Sequence, residues 1–330
     1  MAPVLSDENL SVQFPGRSGP IKVVDDVSFT LQAGASLVIA GESGSGKSMV
    51  CQSLLGIAPG AAEVSGTRID WRGRDLLKAS DSEWRDIRGA EIAMIFQDPT
   101  AALNPLITVE NQISDAIRAH RRCSRAEARA RTIEVLGQAG FPEPEHRMRA
   151  YPSELSGGMR QRVAIALALS CAPSLIIADE ATTNLDVSIQ AQIIKLLRRL
   201  KDELGLALIF VTHDLGLAAE IGGDLLVMYA GQPVEYGPVR QVLEDPCHPY
   251  TRGLLRCAPT LRSSRDNPLV PIPGQAPRPG SIGAGSPFRS RCPVVVDGVC
   301  EASRPGWSEA SPDHVVACHR FALEGREGVR

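Results

Sequence analysis

A chain of 330 residues with 43% apolar residues is long enough to bury one large core and still carry an appendage. Its 35 basic and 38 acidic residues leave a net charge of -3, so no bulk positive field recommends nucleic acid as a partner. The first residues, MAPVLSDENLSVQF, lack the basic start and apolar run of a signal peptide, and no stretch reaches the roughly 18 apolar residues of a membrane helix; a soluble intracellular protein is expected. Eight cysteines in such a reducing compartment predict free thiols or metal ligands over disulfides.

The first strong motif is ASLVIAGESGSGKSMVCQSLLG. A short apolar strand, Leu37 to Ala40, runs through a glycine-rich turn into an apolar helical segment that stops near Gly56. Gly41, Gly44 and Gly46 let the backbone curl so that its N–H groups point at phosphate oxygens, with Ser43 in the same turn and the positive end of the helix behind it. Lys47 is placed to reach the outer phosphates and Ser48 to offer a hydroxyl to Mg²⁺, with Met49 next in the helix. Strand, loop and helix together supply the context that a phosphate-binding loop requires.

From Pro99 to about Tyr151 the pattern turns helical. Val109, Ile113 and Ile117 recur at four-residue spacing, and Ser124 with Glu127 has the spacing of a capping box before a segment that stops at glycine. In YPSELSGGMRQRVAIALALS, Ser156, Gly157 and Gly158 precede a helix with apolar positions Val163, Ala166 and Leu167. A hydroxyl and two glycines at a helix start make a second anion cradle. One nucleotide does not need two such cradles from the same face.

The apolar strand SLIIADE ends in Asp179 and Glu180. Acidic groups emerging from a buried strand are costly unless they face a cation or donors. Asp179 suits the neighbourhood of Mg²⁺, leaving Glu180 to orient or deprotonate an attacking water. Beyond it, SIQAQIIKLLRRLKDELG carries Ile193, Leu196, Leu197, Leu200 and Leu204 on one face, followed by the strand LALIFV; strands alternating with helices predict a mostly parallel sheet flanked by helices. After about Leu243, and above all from Ala258 to Ser290, the chain is rich in Pro, Gly, Ser and Arg, which predicts an extended, wrapped or partly flexible extension.

LSGGM resembles the signature motif of ATP-binding cassette (ABC) ATPases, in which the nucleotide is sandwiched between the phosphate loop of one subunit and the signature of another. The resemblance implies an α/β fold: a P-loop NTPase core with a mostly parallel sheet, an N-terminal antiparallel β part, a helical subdomain insertion, and here an irregular cysteine-containing C-terminal extension. It places the nucleotide-binding domain at 1–245, the helical subdomain at about 99–155, and the extension at 246–330. It assigns Gln97 in EIAMIFQ to sensing Mg²⁺ and the attacking water, Asp186 in TTNLDVS to the subunit seam, and His213 in LIFVTHD to the terminal phosphate. Phe14 in LSVQF stands where the family places an aromatic ring against the adenine. Ala181 and Asn184 depart from the family pattern, at positions commonly held by Pro and by a small residue, and neither removes a group that does chemistry.

HPYTRGLL, PIPGQAPRPG, RCP and VACH are similar to the C-terminal extension of oligopeptide, dipeptide and nickel importer ATPases. The resemblance implies an ATP-hydrolysing subunit at the cytoplasmic face of the membrane that uses ATP and Mg²⁺. It implies as partners a second cassette, more often different than identical, two permease subunits and an extracytoplasmic binding protein. Peptide is the leading cargo and nickel or another small solute the alternative. A non-transport ABC ATPase acting on nucleic acid or the ribosome is the competing class; no second cassette, long coiled coil or zinc-finger insertion favours it.

Cys292, Cys300 and Cys318 match no compact C-x-x-C metal spacing, with seven and seventeen residues between them. In the resembled family four cysteines of this extension often hold a 4Fe-4S cluster, and Ser286 stands where the first would be. Three readings stay open: a cluster on the three cysteines with Ser286, His319 or another group as fourth ligand; zinc on three thiolates and a histidine; or ordinary buried thiols.

Overall fold

The computed structural model describes residues 3–17, 19–183, 185–257 and 270–329. The chain divides into two compact units, one of Gln32–Ala35 and Lys78–Val211, the other of the chain up to Leu31, Ser36–Leu77, and the chain from Thr212 onward.

In the first unit the strands Ile92–Ile95, Leu175–Asp179 and Ala207–Thr212 lie parallel in that order. Every residue of the latter two is buried, as continuous apolar runs in a parallel sheet require. Val109–His120 is capped by Thr108 and buries the expected stripe of Val109, Ile113 and Ile117. Arg125–Gln138 opens on the predicted capping box, Ser124 and Glu127 each bonding the other's backbone. Val187–Leu204 buries Ile193, Leu196, Leu197 and Leu200, but Leu204 is 47% exposed. It is the last helical residue before Gly205 turns the chain left-handed, so the face it would share has ended.

The helix Gly157–Leu169 buries more than the apolar positions singled out in its sequence. Gln161, Val163, Ala164, Ile165, Ala166, Ala168 and Leu169 are all buried, while Leu167 is only half-buried. Val109–His120, Arg125–Gln138 and the strand Ile92–Ile95 all pack on this helix, which therefore needs apolar residues around most of its circumference. Its carboxy-terminal carbonyls are met by arginines from its neighbours: Arg131 donates to Leu169 O and Ser170 O, and Arg121 donates to Cys171 O at 2.7 Å.

The second unit holds two sheets. In the antiparallel one Leu5–Phe14 is central, paired with Ile21–Leu31 on one side and with Glu63–Ser65 and Arg68–Trp71 on the other; Arg74–Asp75 closes the edge. In the other, Ser36–Ala40 runs parallel to Asp224–Tyr229, which pairs antiparallel with Gln232–Pro238. The extension continues this sheet: His314–Ala317 pairs with Gln232–Pro238, and Trp307–Ser311 pairs with His314–Ala317.

The extension is therefore less irregular than expected beyond residue 290, while 270–288 carry no helix or strand and 258–269 lie outside the described residues. It packs a small cluster of its own, Cys247, Val316, Cys318, Phe321 and Val329, and borrows the edge of an existing sheet. The carboxylate of Glu235, fully buried, accepts the amides of Cys247 at 2.6 Å and His248 at 3.0 Å and bonds His314 Nε2 at 2.8 Å. Phe288 packs edge-on against Tyr229 at 5.1 Å, and Tyr250 joins the same aromatic group. No helix among the described residues is long and apolar enough to cross a membrane.

Candidate functional site

The loop after Ser36–Ala40 has the curl that its glycines predict. Gly41 has φ 154°, and a Cβ there would strike the carbonyl oxygen of Met228, so no other residue fits. Gly44 and Gly46 also take positive φ, at 78° and 99°, and Gly46 is the N-cap of the helix Lys47–Leu54. Lys47 is buried at 3% exposure with its ammonium donating to Gly41 O at 2.8 Å and Glu42 O at 2.9 Å. The lysine is thus folded back over the hollow of its own loop, where phosphate oxygens would compete with those carbonyls. Ser43 and Gly44 are exposed; Ser48 and Met49 are half-buried on the first turn of the helix.

In the first unit the structure brings Gln97 and Glu180 together. Gln97 lies two residues beyond its strand and donates from Nε2 to Glu180 Oε2 at 2.9 Å. Glu180 also accepts from Thr183 Oγ1 at 3.3 Å and stands at φ 45°, a left-handed conformation unusual for a non-glycine residue. Asp179, 5% exposed, ends the buried strand just before it. A serine hydroxyl and a carboxylate are the hard oxygen donors that suit Mg²⁺, so the residue types present fit that ion.

The signature segment is presented at the surface. Ser156 is exposed and N-caps Gly157–Leu169, accepting from the Met159 amide at 3.4 Å. Gly158 lies so close to Ile189 that a Cβ would sit 3.1 Å from its Cγ2. Asp186, also exposed, N-caps Val187–Leu204; the Ile189 amide and the Ser188 hydroxyl hold its carboxyl below the usual carboxylate range. Asn184 lies outside the described residues, and Ala181 is buried. In the second unit His213 is exposed just after the strand Ala207–Thr212. Phe14, half-buried, ends its strand opposite Ile21.

In the extension all three tail cysteines converge. Burial pushes the Cys292 thiol up to about 11, with Cys318 and Cys300 close enough to add to the effect, and burial raises Cys318 likewise. Backbone amides oppose this, Val294 on Cys292 and Phe321 and Arg320 on Cys318; separately, the Val296 amide donates to Cys300 Sγ at 3.4 Å. Thiols are the donor type that iron–sulfur centres use, but burial outweighs the amides at Cys292 and Cys318, and among the described residues these three sulfurs do not form a set lying within 4.8 Å of one another. Ser286 is buried and donates its amide to Cys300 O at 2.8 Å, which puts it beside the thiols. His319 Nε2 is committed to Ser303 O at 2.9 Å. Glu235, Cys247 and His314 also bring donor atoms within 4.8 Å of one another, but the Glu235 oxygens already accept from two amides and bond the imidazole.

Two residues escaped the sequence reading. Glu42 of the phosphate loop is paired with Arg291 of the extension, a contact across 249 residues that no local pattern announces. Asp7 sits on the buried face of the strand Leu5–Phe14; its alternation with Leu5 was the available signal.

A curled phosphate loop closing on a helix, a strand-end acidic pair with a glutamine on it, and a capped glycine signature define a P-loop nucleotide-binding ATPase of the cassette type. Residues 24–183 match the ABC transporter family, and residues 234–300 match the oligopeptide/dipeptide transporter C-terminal region. A probable peptide ABC transporter ATP-binding protein of Sinorhizobium fredii is 44% identical over 96% of this chain and 95% of its own length. The dipeptide transport ATP-binding proteins DppD of Bacillus subtilis and Escherichia coli are 44% and 42% identical, over 96% of this chain and 95% and 96% of theirs. Among solved structures, the ATP-binding cassette MJ0796, a dimer bound to ADP and Pi, is similar with a TM-score of 0.64 and 28% identity, covering 72% of this chain and 99% of that one. The chain belongs to the family of ABC transporter ATP-binding proteins.

Proposed function

We propose that this chain is the ATP-hydrolysing subunit of an ABC importer of peptides, seated at the cytoplasmic face of the membrane. The observation that carries the cargo is the extension: a segment similar to the oligopeptide/dipeptide transporter C-terminal region, folded onto the cassette's own sheet. ATP hydrolysis is the activity of the family. Lys47 and the amides of the 41–48 loop bind the phosphates, and Phe14 lies under the base. Ser48, Gln97 and Asp179 would hold Mg²⁺, which would supply charge neutralisation of the phosphates. Glu180 takes the proton of the attacking water while the Gln97 amide fixes its carboxylate, and His213 contacts the terminal phosphate. Ser156, Gly157 and Gly158 reach the nucleotide of a second cassette, with Asp186 at the seam; two permease subunits and a binding protein complete the importer.

Reconstitution of the chain with two peptide-importer permeases, a second cassette and a peptide-binding protein tests this reading. Dipeptide-loaded binding protein is expected to stimulate ATP hydrolysis and drive labelled dipeptide into proteoliposomes. Stimulation by nickel-loaded binding protein with none by peptide would overturn the cargo.

For the thiols, the reading is an iron–sulfur centre held by Cys292, Cys300 and Cys318 with Ser286 at the fourth position. Such a centre would tie three separate segments of the extension together. Anaerobically purified protein from iron-replete cells is expected to contain iron and sulfide and to show the broad visible absorption of such clusters, with the Cys300→Ala variant losing both. Iron-free protein with bound zinc, or with no metal, defeats the assignment.

A further inference from the structure

The second residue of the phosphate loop is gripped by the extension. Arg291, whose side chain is 4% exposed, forks onto the Glu42 carboxylate, Nη1 to Oε2 at 2.7 Å and Nη2 to Oε1 at 3.0 Å. Its remaining donors are also matched: Nε to Pro273 O at 2.8 Å, Nη2 to Ile272 O at 3.3 Å and Nη1 to Tyr229 Oη at 3.3 Å. The backbone of Glu42 is held as well. Its N–H donates to the hydroxyl of Tyr250 at 2.8 Å, and Tyr250 is fully buried with its ring 4.6 Å from that of Tyr229. On its other side the Glu42 carbonyl accepts from Lys47 Nζ at 2.9 Å and from the Ser45 amide at 3.2 Å.

Glu42 is therefore the point where the extension and the nucleotide-binding lysine meet. We propose that Arg291 and Tyr250 are positioning residues of the nucleotide site, which hold the phosphate loop in its binding curl through Glu42. The proposal rests on the reading that this loop binds ATP. Anchoring the extension does not require the pair, because the Glu235–His314 bond and the Phe288 contacts already do so. A buried guanidinium is also a poor choice for packing alone, since apolar side chains of similar volume fill such a place at no desolvation cost. What the arginine adds is direction: a planar fork that fixes the carboxylate, and with it a loop that would otherwise lose freedom on binding phosphate.

The test measures binding of the fluorescent nucleotide mant-ATP with Mg²⁺ to the full chain, alongside thermal unfolding. Arg291→Gln and Tyr250→Phe are each expected to weaken binding by about tenfold, and Arg291→Lys, which keeps the charge and loses the fork, to recover part of it. Glu42→Gln is expected to match Arg291→Gln, and the double variant to be no weaker than either, because one contact is lost in all three. Tyr250→Phe decides the matter if Arg291→Gln does not fold. Folded variants that bind mant-ATP as the wild type does, while Lys47→Ala loses it, overturn the clamp and leave the nucleotide reading intact. Wild-type protein that fails to bind mant-ATP, or that binds no better than Lys47→Ala, overturns the nucleotide reading instead.

Discussion

Replacing Glu180 by Gln is expected to slow ATP hydrolysis by about 10²–10⁴-fold, the range associated with losing a positioned general base, with MgATP affinity changed by less than about threefold. The reason lies in the local geometry. Glu180 stands in a left-handed backbone conformation directly after a buried strand, and the Gln97 amide and the Thr183 hydroxyl both donate to its Oε2. Strain and two donors together fix one carboxylate orientation, which a group that only ended a strand would not need. Glutamine keeps the size and loses the proton affinity, so binding survives and chemistry does not. Phosphate release under saturating MgATP measures the effect; a rate within about fivefold of the wild type would remove Glu180 from the general-base role.

Asp7→Val is expected to stabilise the protein by an amount that grows with pH. Asp7 is 1% exposed, opposite Phe29 on one neighbouring strand and Ile69 on the other, and neither carboxyl oxygen has a hydrogen-bond partner. Burial, with Glu8 beside it, pushes the acid from 3.8 up to about 8. Below pH 3.8 both folded and unfolded chains hold the proton and the ionisation costs nothing. As pH rises from there, the unfolded chain releases its proton while the folded chain retains it, so each unit removes about 1.4 kcal/mol of stability until the folded acid ionises near 8. At pH 7 the sum is on the order of 4 kcal/mol. Denaturation of wild type and variant at pH 4.5, 6 and 7.5 reads the slope, and Asp7→Asn should abolish it while keeping a polar group in place. A gap between wild type and Asp7→Val that does not change with pH would show that Asp7 does not carry the ionisation penalty.

The same strand shows why some features could be read from sequence and others could not. Leu5 and Asp7 alternate inward, then register breaks between Asp7 and Leu10, with Asn9 at φ 60°, and Leu10 and Val12 are buried in the shifted phase. Strict alternation would turn Leu10 outward, and only pairing with Ile21–Leu31 and Arg68–Trp71 settles which face is the core. Gly157–Leu169 shows the opposite: its burial on several sides comes from four neighbouring elements, which a one-helix periodicity does not contain.

By itself the sequence determined what depends on contiguous residues. The 41–48 loop, the capping box at Ser124 and Glu127, the Val109–Ile113–Ile117 stripe and the strand-end acids were all legible, because turn geometry, caps and short periods are set within a few residues. Tertiary structure decided what depends on distant ones. It put the Gln97 amide on Glu180, gathered three cysteines from separate segments, made strands of a tail poor in apolar runs, and set Arg291 on Glu42. Those pairings depend on the chain's course in three dimensions, where buried charge and unpaired amides must find partners wherever the fold brings them.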